Sequence, residues 1–152
     1  MLCYIIQQVA QRTMRILFTI SYYIPYVSGL TIHVQRIAEA LAKRNHTVYV
    51  LTTQHLKQLP KKEVHKNVSI TRVAYLLKIS KGFFMPTYVF TASRLIKQSD
   101  MVIINLPQAE GFIAALIGRL LGKRVYCVYH CEVVLPRNLP NLFIETVLHL
   151  AN

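Results

Sequence analysis

Apolar residues along this chain alternate between two rhythms. Short runs that are mostly apolar are followed by longer stretches that are apolar only every third or fourth position. "RILFTI" (Arg15–Ile20) is such a run and reads as a buried strand. A loop over 21–30 follows, carrying Pro25 and Gly29. Val34, Ile37, Ala38, Leu41 and Ala42 then repeat at i, i+3, i+4, i+7, i+8, one stripe of an amphipathic helix. Thr31 is expected as its N-cap, Lys43 and Arg44 lie in its last turn, and Asn45 suits a left-handed cap. "TVYVLTT" (Thr47–Thr53) is β-branched and reads as the next strand.

The alternation continues. Residues 54–67 read as a basic loop and Val68–Ala74 as a strand. Residues 75–85 are apolar and basic by turns, and Pro86 opens a helix to about Ser99. Met101–Asn105 is a strand, Ala109–Gly122 a nearly all-apolar helix ended by glycine, and Arg124–His130 a further strand. A last helix begins at Pro140. Strands alternating with helices, the strands apolar on both faces, predict an α/β domain: a Rossmann-like parallel sheet covered by helices on both sides. Ligands bind such sheets at the carboxyl ends of the strands. Those ends are residues 21–30, 53–55, 105–110 and 130–135.

Composition narrows the class. The 152 residues, 53% hydrophobic and 16% charged, suit one domain with a real core. We expect residues 1–13 to be an N-terminal extension, because Met14 directly precedes the first strand and is a candidate start. The net charge is +12, from 18 basic and six acidic residues. Half of it lies between Lys57 and Lys81, where Lys57, Lys61, Lys62, Lys66, Arg72, Lys78 and Lys81 face one acid, Glu63. Such a stretch suits an anionic partner, or is an ordinary solvated surface. Cys3, Cys127 and Cys131 show no disulfide spacing, which suits a reducing compartment. "GFIAALIG" is far shorter than the ~20 residues of a membrane span. The first residues lack the charged start of a signal peptide, so a cytoplasmic location is expected.

The candidate chemistry is sparse. The first loop has one glycine, where a dinucleotide fingerprint needs G-x-G-x-x-G, and no phosphate-binding G-x-x-x-x-G-K-[ST] occurs. Ser28 and Gly29 stand at a helix start, where free amides and the helix dipole favour phosphate; a plain turn glycine is the other reading. His130 ends a strand where ligands bind, on the face opposite Cys127 and Cys131, so the three are not a shared metal site. The two cysteines read as small core residues. Glu132 shares the His130 face if the strand continues. Glu110 either complements a helix dipole or accepts a ligand hydroxyl, and Asn105 and Gln108 are placed to do the same. His33 and His46 read as structural or exposed.

In order and spacing, "MRILFTISYYIPYVSGLTIHVQRIAEALAKRNHTVYVLT" and "LLGKRVYCVYHCEVVLP" resemble the family 4 glycosyltransferases of the GT-B fold. The likeness spans residues 14–152. It implies the first of two Rossmann-like domains of an enzyme that moves a sugar from a nucleotide-sugar to an acceptor hydroxyl, with retention at the anomeric carbon and no metal or cofactor. By the resemblance, Ser28 and Gly29 lie against the donor diphosphate and His130 touches the donor sugar. The same likeness has Asn105, Gln108, Glu110 and Glu132 shape the acceptor pocket. The donor-binding domain lies outside this sequence, which implies a half inactive alone or completed by a partner chain. The basic stretch (Lys57, Lys61, Lys62, Lys66, Lys78, Lys81), mixed with "LLKISKGFFMP", then implies docking to an anionic membrane bearing a lipid-linked acceptor. A non-enzymatic basic module is the competing reading, although no nucleic-acid-binding motif is present. The chain departs from the family pattern at Ser28, Thr31, Asn45 and Cys131-Glu132.

Overall fold

The computed structural model describes residues 13–79 and 82–130. Strand β1 (Arg15–Thr19) leads through a loop to helix α1 (Gly29–Lys43) and β2 (Thr47–Thr53). An antiparallel pair follows, β3 (Lys62–His65) and β4 (Val68–Val73), and then a small hairpin, β5 (Leu77–Ile79) and β6 (Gly82–Phe84). Helix α2 (Tyr88–Gln98), β7 (Met101–Leu106), α3 (Gly111–Leu120) and β8 (Arg124–Tyr129) complete the described chain. The main sheet runs β3-β4-β2-β1-β7-β8, parallel throughout except for the edge strand β3.

The period of two along each strand sorts its side chains between two cores. Ile16 and Phe18 of β1, with Val48, Val50, Ile70 and Ile103, meet the α1 stripe of Val34, Ala38 and Leu41. Leu17, Leu51, Val102 and Ile104 face the other way, onto Ala92, Leu95 and Ile96 of α2 and Ala114 of α3. Burial on both faces is why these strands carry apolar residues on both faces. At ~25 cal/mol per Å² of apolar surface, each fully buried Leu or Ile stabilises the fold by roughly 2 kcal/mol. Helix α3 approaches the sheet closely through a glycine: a Cβ on Gly118 would meet Val125 Cγ2 at 2.6 Å.

Local details differ from the sequence expectations in three places. The N-cap of α1 is Ser28, not Thr31: the Ser28 hydroxyl accepts from the Thr31 amide at 3.1 Å. Thr31 lies buried in the first turn and bonds Ser28 Oγ at 2.9 Å and the Tyr22 carbonyl at 3.3 Å. The 54–67 stretch is not all loop, because β3 pairs with β4 through a two-residue turn, Lys66-Asn67, both at positive φ. That is the backbone a tight hairpin requires, and asparagine tolerates it. Lastly, Cys127 is exposed on the sheet-edge strand β8 rather than in the core. Asn45 takes the left-handed conformation expected of it, φ 64°. The expected helix from Pro140, together with Cys131 and Glu132, lies outside the described residues.

Candidate functional site

The chain leaves β1 toward β2 on one side, while β7 pairs with β1 on the other. The carboxyl ends of β1 and β7 therefore splay their loops apart, and the crevice between them is where ligands enter such sheets. Thr19 closes β1, Asn105 and Leu106 close β7, and His130 follows β8. Three separate strands thus bring their last residues to one place.

Asn105 is the centre of this arrangement. Its side chain is buried, its Nδ2 donates to the Thr19 carbonyl at 3.1 Å, and its Oδ1 lies 3.0 Å from His130 Nε2. The His130 amide prolongs the β7–β8 ladder by donating to the Leu106 carbonyl at 3.4 Å. Tyr126 and Val128 pack toward α1, so alternation turns His130 to the same face. There its ring meets that of His33, from the second turn of α1, edge-on at 5.5 Å. Burial first, and His33 second, hold the His130 imidazole below its ordinary pKa. Cys127, three residues earlier, faces the opposite side, as its strand position requires.

Ser28 and Gly29 begin the same helix that carries His33. The Ser28 hydroxyl is committed to capping, so Thr31 needs nothing further. The Ile32 amide bonds the Ser28 carbonyl. The amides of Gly29 and Leu30 have no partner among the described residues. Gly29 is exposed, and a Cβ there would touch nothing within 4 Å. No acidic residue stands in the first turn to compete for the positive end of the dipole.

Gln108 and Glu110, which the resemblance assigns to the acceptor pocket, are both buried and engaged internally. Gln108 Nε2 donates to Thr19 Oγ1. Glu110 Oε1 accepts from the Phe83 amide at 2.9 Å, and its Oε2 has no partner among the described residues. Burial raises the Glu110 carboxyl above its ordinary pKa. Gly111 is required by this crowding, since a Cβ there would lie 2.8 Å from Ile104 Cγ2 and 3.0 Å from Gln108 Cγ.

The basic stretch separates in space. Arg72 is no surface charge: its guanidinium is buried, 2.7 Å from Glu63, and donates to the carbonyls of Pro60 and Ile24. Lys66 sits in the β3–β4 turn, at the amino end of the sheet, ion-paired to Glu39 at 3.0 Å. Lys57, Lys61 and Lys62 lie at the other end, after β2 and at the start of β3. Lys78 stands on the hairpin with its Nζ 5.8 Å from the Tyr22 ring centre and 5.7 Å from that of Phe83, a cation–π arrangement. Lys81 lies outside the described residues.

Sequence reasoning missed two groups. His33 reads from the sequence as structural or exposed, and its place beside His130 follows only from packing α1 on the same sheet face. The rings of Tyr22, Tyr26, His55, Tyr75 and Phe83 form one cluster at the carboxyl edge of the sheet, with Tyr22 stacked on Tyr26 at 4.6 Å and meeting Phe83 at 5.3 Å. The aromatic density of "YYIPY" was the available signal. Beside the cluster, Leu76, Leu77, Phe84, Val89 and Phe90 are exposed, Phe90 by 79%. No described helix is long and apolar enough to cross a membrane.

A mostly parallel sheet of this order, covered by helices, matches the fold of one half of a GT-B glycosyltransferase. The sequence profile of Glycosyltransferase Family 4 matches residues 27–149, and the chain belongs to that family. Among solved structures it is similar to sucrose-phosphate synthase from Thermosynechococcus elongatus, with a TM-score of 0.57 and 16% identity. The match covers 90% of this chain and 40% of that one, so the chain spans well under half of its structural relative. No curated protein matches the chain.

Proposed function

We propose that this chain is the acceptor-side half of a retaining glycosyltransferase, which moves a sugar from a nucleotide-sugar to an acceptor hydroxyl. The observation that carries the reading is the meeting of His130 with the start of α1, through His33, at the β1/β7 crevice. In this reading His130 contacts the donor sugar and holds it for attack. The open amides of Gly29 and Leu30 face the donor diphosphate, while Ser28 acts through its cap. Asn105, Gln108 and Glu110 shape the acceptor side from beneath rather than by touching the acceptor. No metal or cofactor is needed. The remaining donor contacts come from a second domain or a partner chain, as the 40% coverage of the structural relative suggests. Alone, this half is expected to be inactive.

The acceptor class we favour is a glycolipid or other lipid-linked saccharide at the inner face of the membrane, with a soluble polysaccharide as the alternative. Exposed Leu76, Leu77, Phe84 and Phe90, with Lys78 on the same hairpin, support it. Basic residues near an anionic surface contribute ~1 kcal/mol each.

The deciding experiment is His130→Ala in the protein together with its donor-binding half, followed by transfer from a labelled nucleotide-sugar. Transfer should be abolished with the circular dichroism spectrum unchanged. Near-normal turnover would refute the role. Co-sedimentation with anionic vesicles at low salt tests the lipid reading, and binding unchanged in Lys78→Ala with Phe90→Ser would sink it. Steep salt-dependent binding to DNA without transfer would favour a non-enzymatic basic module.

A further inference from the structure

We propose that Asn105 is a positioning residue that fixes His130 as the Nε2–H tautomer, presenting Nδ1 as a hydrogen-bond acceptor for a hydroxyl of the bound sugar. That the ligand is a sugar rests on the transferase reading above; the tautomer does not.

The inference follows from which atoms can donate. The Thr19 backbone carbonyl only accepts, so the group 3.1 Å from it must be the Asn105 NH₂. The amide orientation is thereby set, and Oδ1 faces His130 at 3.0 Å. An amide oxygen also only accepts, so His130 Nε2 must carry the proton. A neutral imidazole has a single N–H, which leaves the lone pair on Nδ1. Among the described residues Nδ1 has no partner.

Turning the Asn105 amide over does not escape this. Its oxygen would then oppose the Thr19 carbonyl, acceptor against acceptor, in a buried position. A buried polar group left unsatisfied costs about 1–3 kcal/mol. Thr19 ends the central strand β1, paired on both sides, so it cannot withdraw. The neutral state is favoured independently by burial and by His33, the titratable neighbour on α1. His130 thus selects a ligand group that donates, namely a hydroxyl, over one that only accepts, such as a ring oxygen.

The test is nitrogen-15 NMR of the protein labelled at histidine, with the His130 signals assigned by their loss in His130→Gln. The expected result is a protonated Nε2 and an unprotonated Nδ1 above the His130 pKa, with the Nε2 proton protected from exchange. In Asn105→Leu that proton should exchange faster, on the order of tenfold for one lost hydrogen bond. Asn105→Asp keeps an oxygen toward Nε2 but gives it a charge, and should raise the His130 pKa. A wild-type Nδ1–H tautomer, protection unchanged in Asn105→Leu, or no pKa rise in Asn105→Asp would each overturn the proposal. If Asn105→Leu fails to fold, the wild-type spectrum and Asn105→Asp decide it. The hydroxyl selectivity is read with donor sugars fluorinated at single positions, since fluorine cannot donate. One position should lose binding by about tenfold, and equal binding at every position would overturn the acceptor role. None of the spectra requires turnover, so failure of the transferase reading remains distinguishable.

Discussion

Glu110 Oε1 accepts a hydrogen bond from the Phe83 amide at 2.9 Å, which ties the crevice loop to the exposed β5–β6 hairpin. The other carboxyl oxygen is buried without a partner among the described residues. Because burial raises the folded pKa, the unfolded chain loses this proton at lower pH than the fold does. The contribution of Glu110 to stability is therefore full at acid pH, below the ordinary carboxylate range. It is lost as pH rises through the folded pKa. Glu110→Gln keeps the oxygen that Phe83 uses and removes the charge. At neutral pH it should stabilise the protein by about 1–3 kcal/mol, with the gain shrinking in acid. Urea unfolding at both pH values checks this, and a Gln variant weaker at neutral pH would contradict it.

His46 behaves in the opposite sense. Its Nδ1 accepts from the Met14 amide at 3.1 Å, which a proton on that nitrogen would break. Burial, then Arg44, depresses its pKa. The unfolded state takes up the proton first, so stability is full above the ordinary imidazole pKa and falls as pH drops through it. Between about pH 7 and about pH 5 the wild type should lose stability that His46→Asn does not lose. Identical pH slopes for the two proteins would remove the assignment.

Arg72 joins three segments: Ile24 in the loop after β1, Pro60 before β3, and Glu63 on β3. Arg72→Met should cost about 2–4 kcal/mol, since two buried carbonyls lose a charged donor. Limited proteolysis should then cut within 21–30. Glu63→Gln should cost less, about 1 kcal/mol, because Glu63 is partly exposed. Equal losses in the two variants would argue against the carbonyl contacts as the main contribution.

Two glycines should respond differently to alanine. At Gly111 the added methyl meets Ile104 and Gln108, and overpacking of this kind costs about 1–3 kcal/mol. At Gly29 the methyl meets nothing, so stability should hold or rise by about 0.5–1 kcal/mol. If the donor diphosphate lies against this amide, Gly29→Ala lowers transfer in the complete enzyme while leaving thermal stability intact. Paired melting curves and transfer assays separate the two effects.

Much of the fold was legible in particular residues. Ile16, Leu17 and Phe18 are consecutive and apolar, and in so short a run that pattern suits a strand buried on both faces. The α1 stripe is legible for the same reason, since Val34, Ala38 and Leu41 repeat at the helical period and all three are buried. The β3–β4 hairpin was harder to see. Lys62, Glu63 and His65 carry no apolar alternation, and edge strands are kept charged to avoid pairing with other chains. Its one signal was Lys66-Asn67, a turn readable only once both flanking segments are known to be strands.

By itself the sequence determined the parallel strands and main helices, the sheet class, and the loops at which a ligand would arrive. Periodicity and strand apolarity are local properties, and the carboxyl-end rule then follows from topology. What only the tertiary structure decided is which polar side chains are spent and which are open. Asn105, Gln108 and Glu110 look free in the sequence, yet they are consumed by Thr19, His130 and Phe83, which lie 25 to 89 residues away. Arg72 looks like surface charge and is buried. His33 looks structural or exposed and stands against His130. A hydrogen bond depends on positions within a few tenths of an ångström, and those positions are set by the packing of both sheet faces rather than by neighbours along the chain.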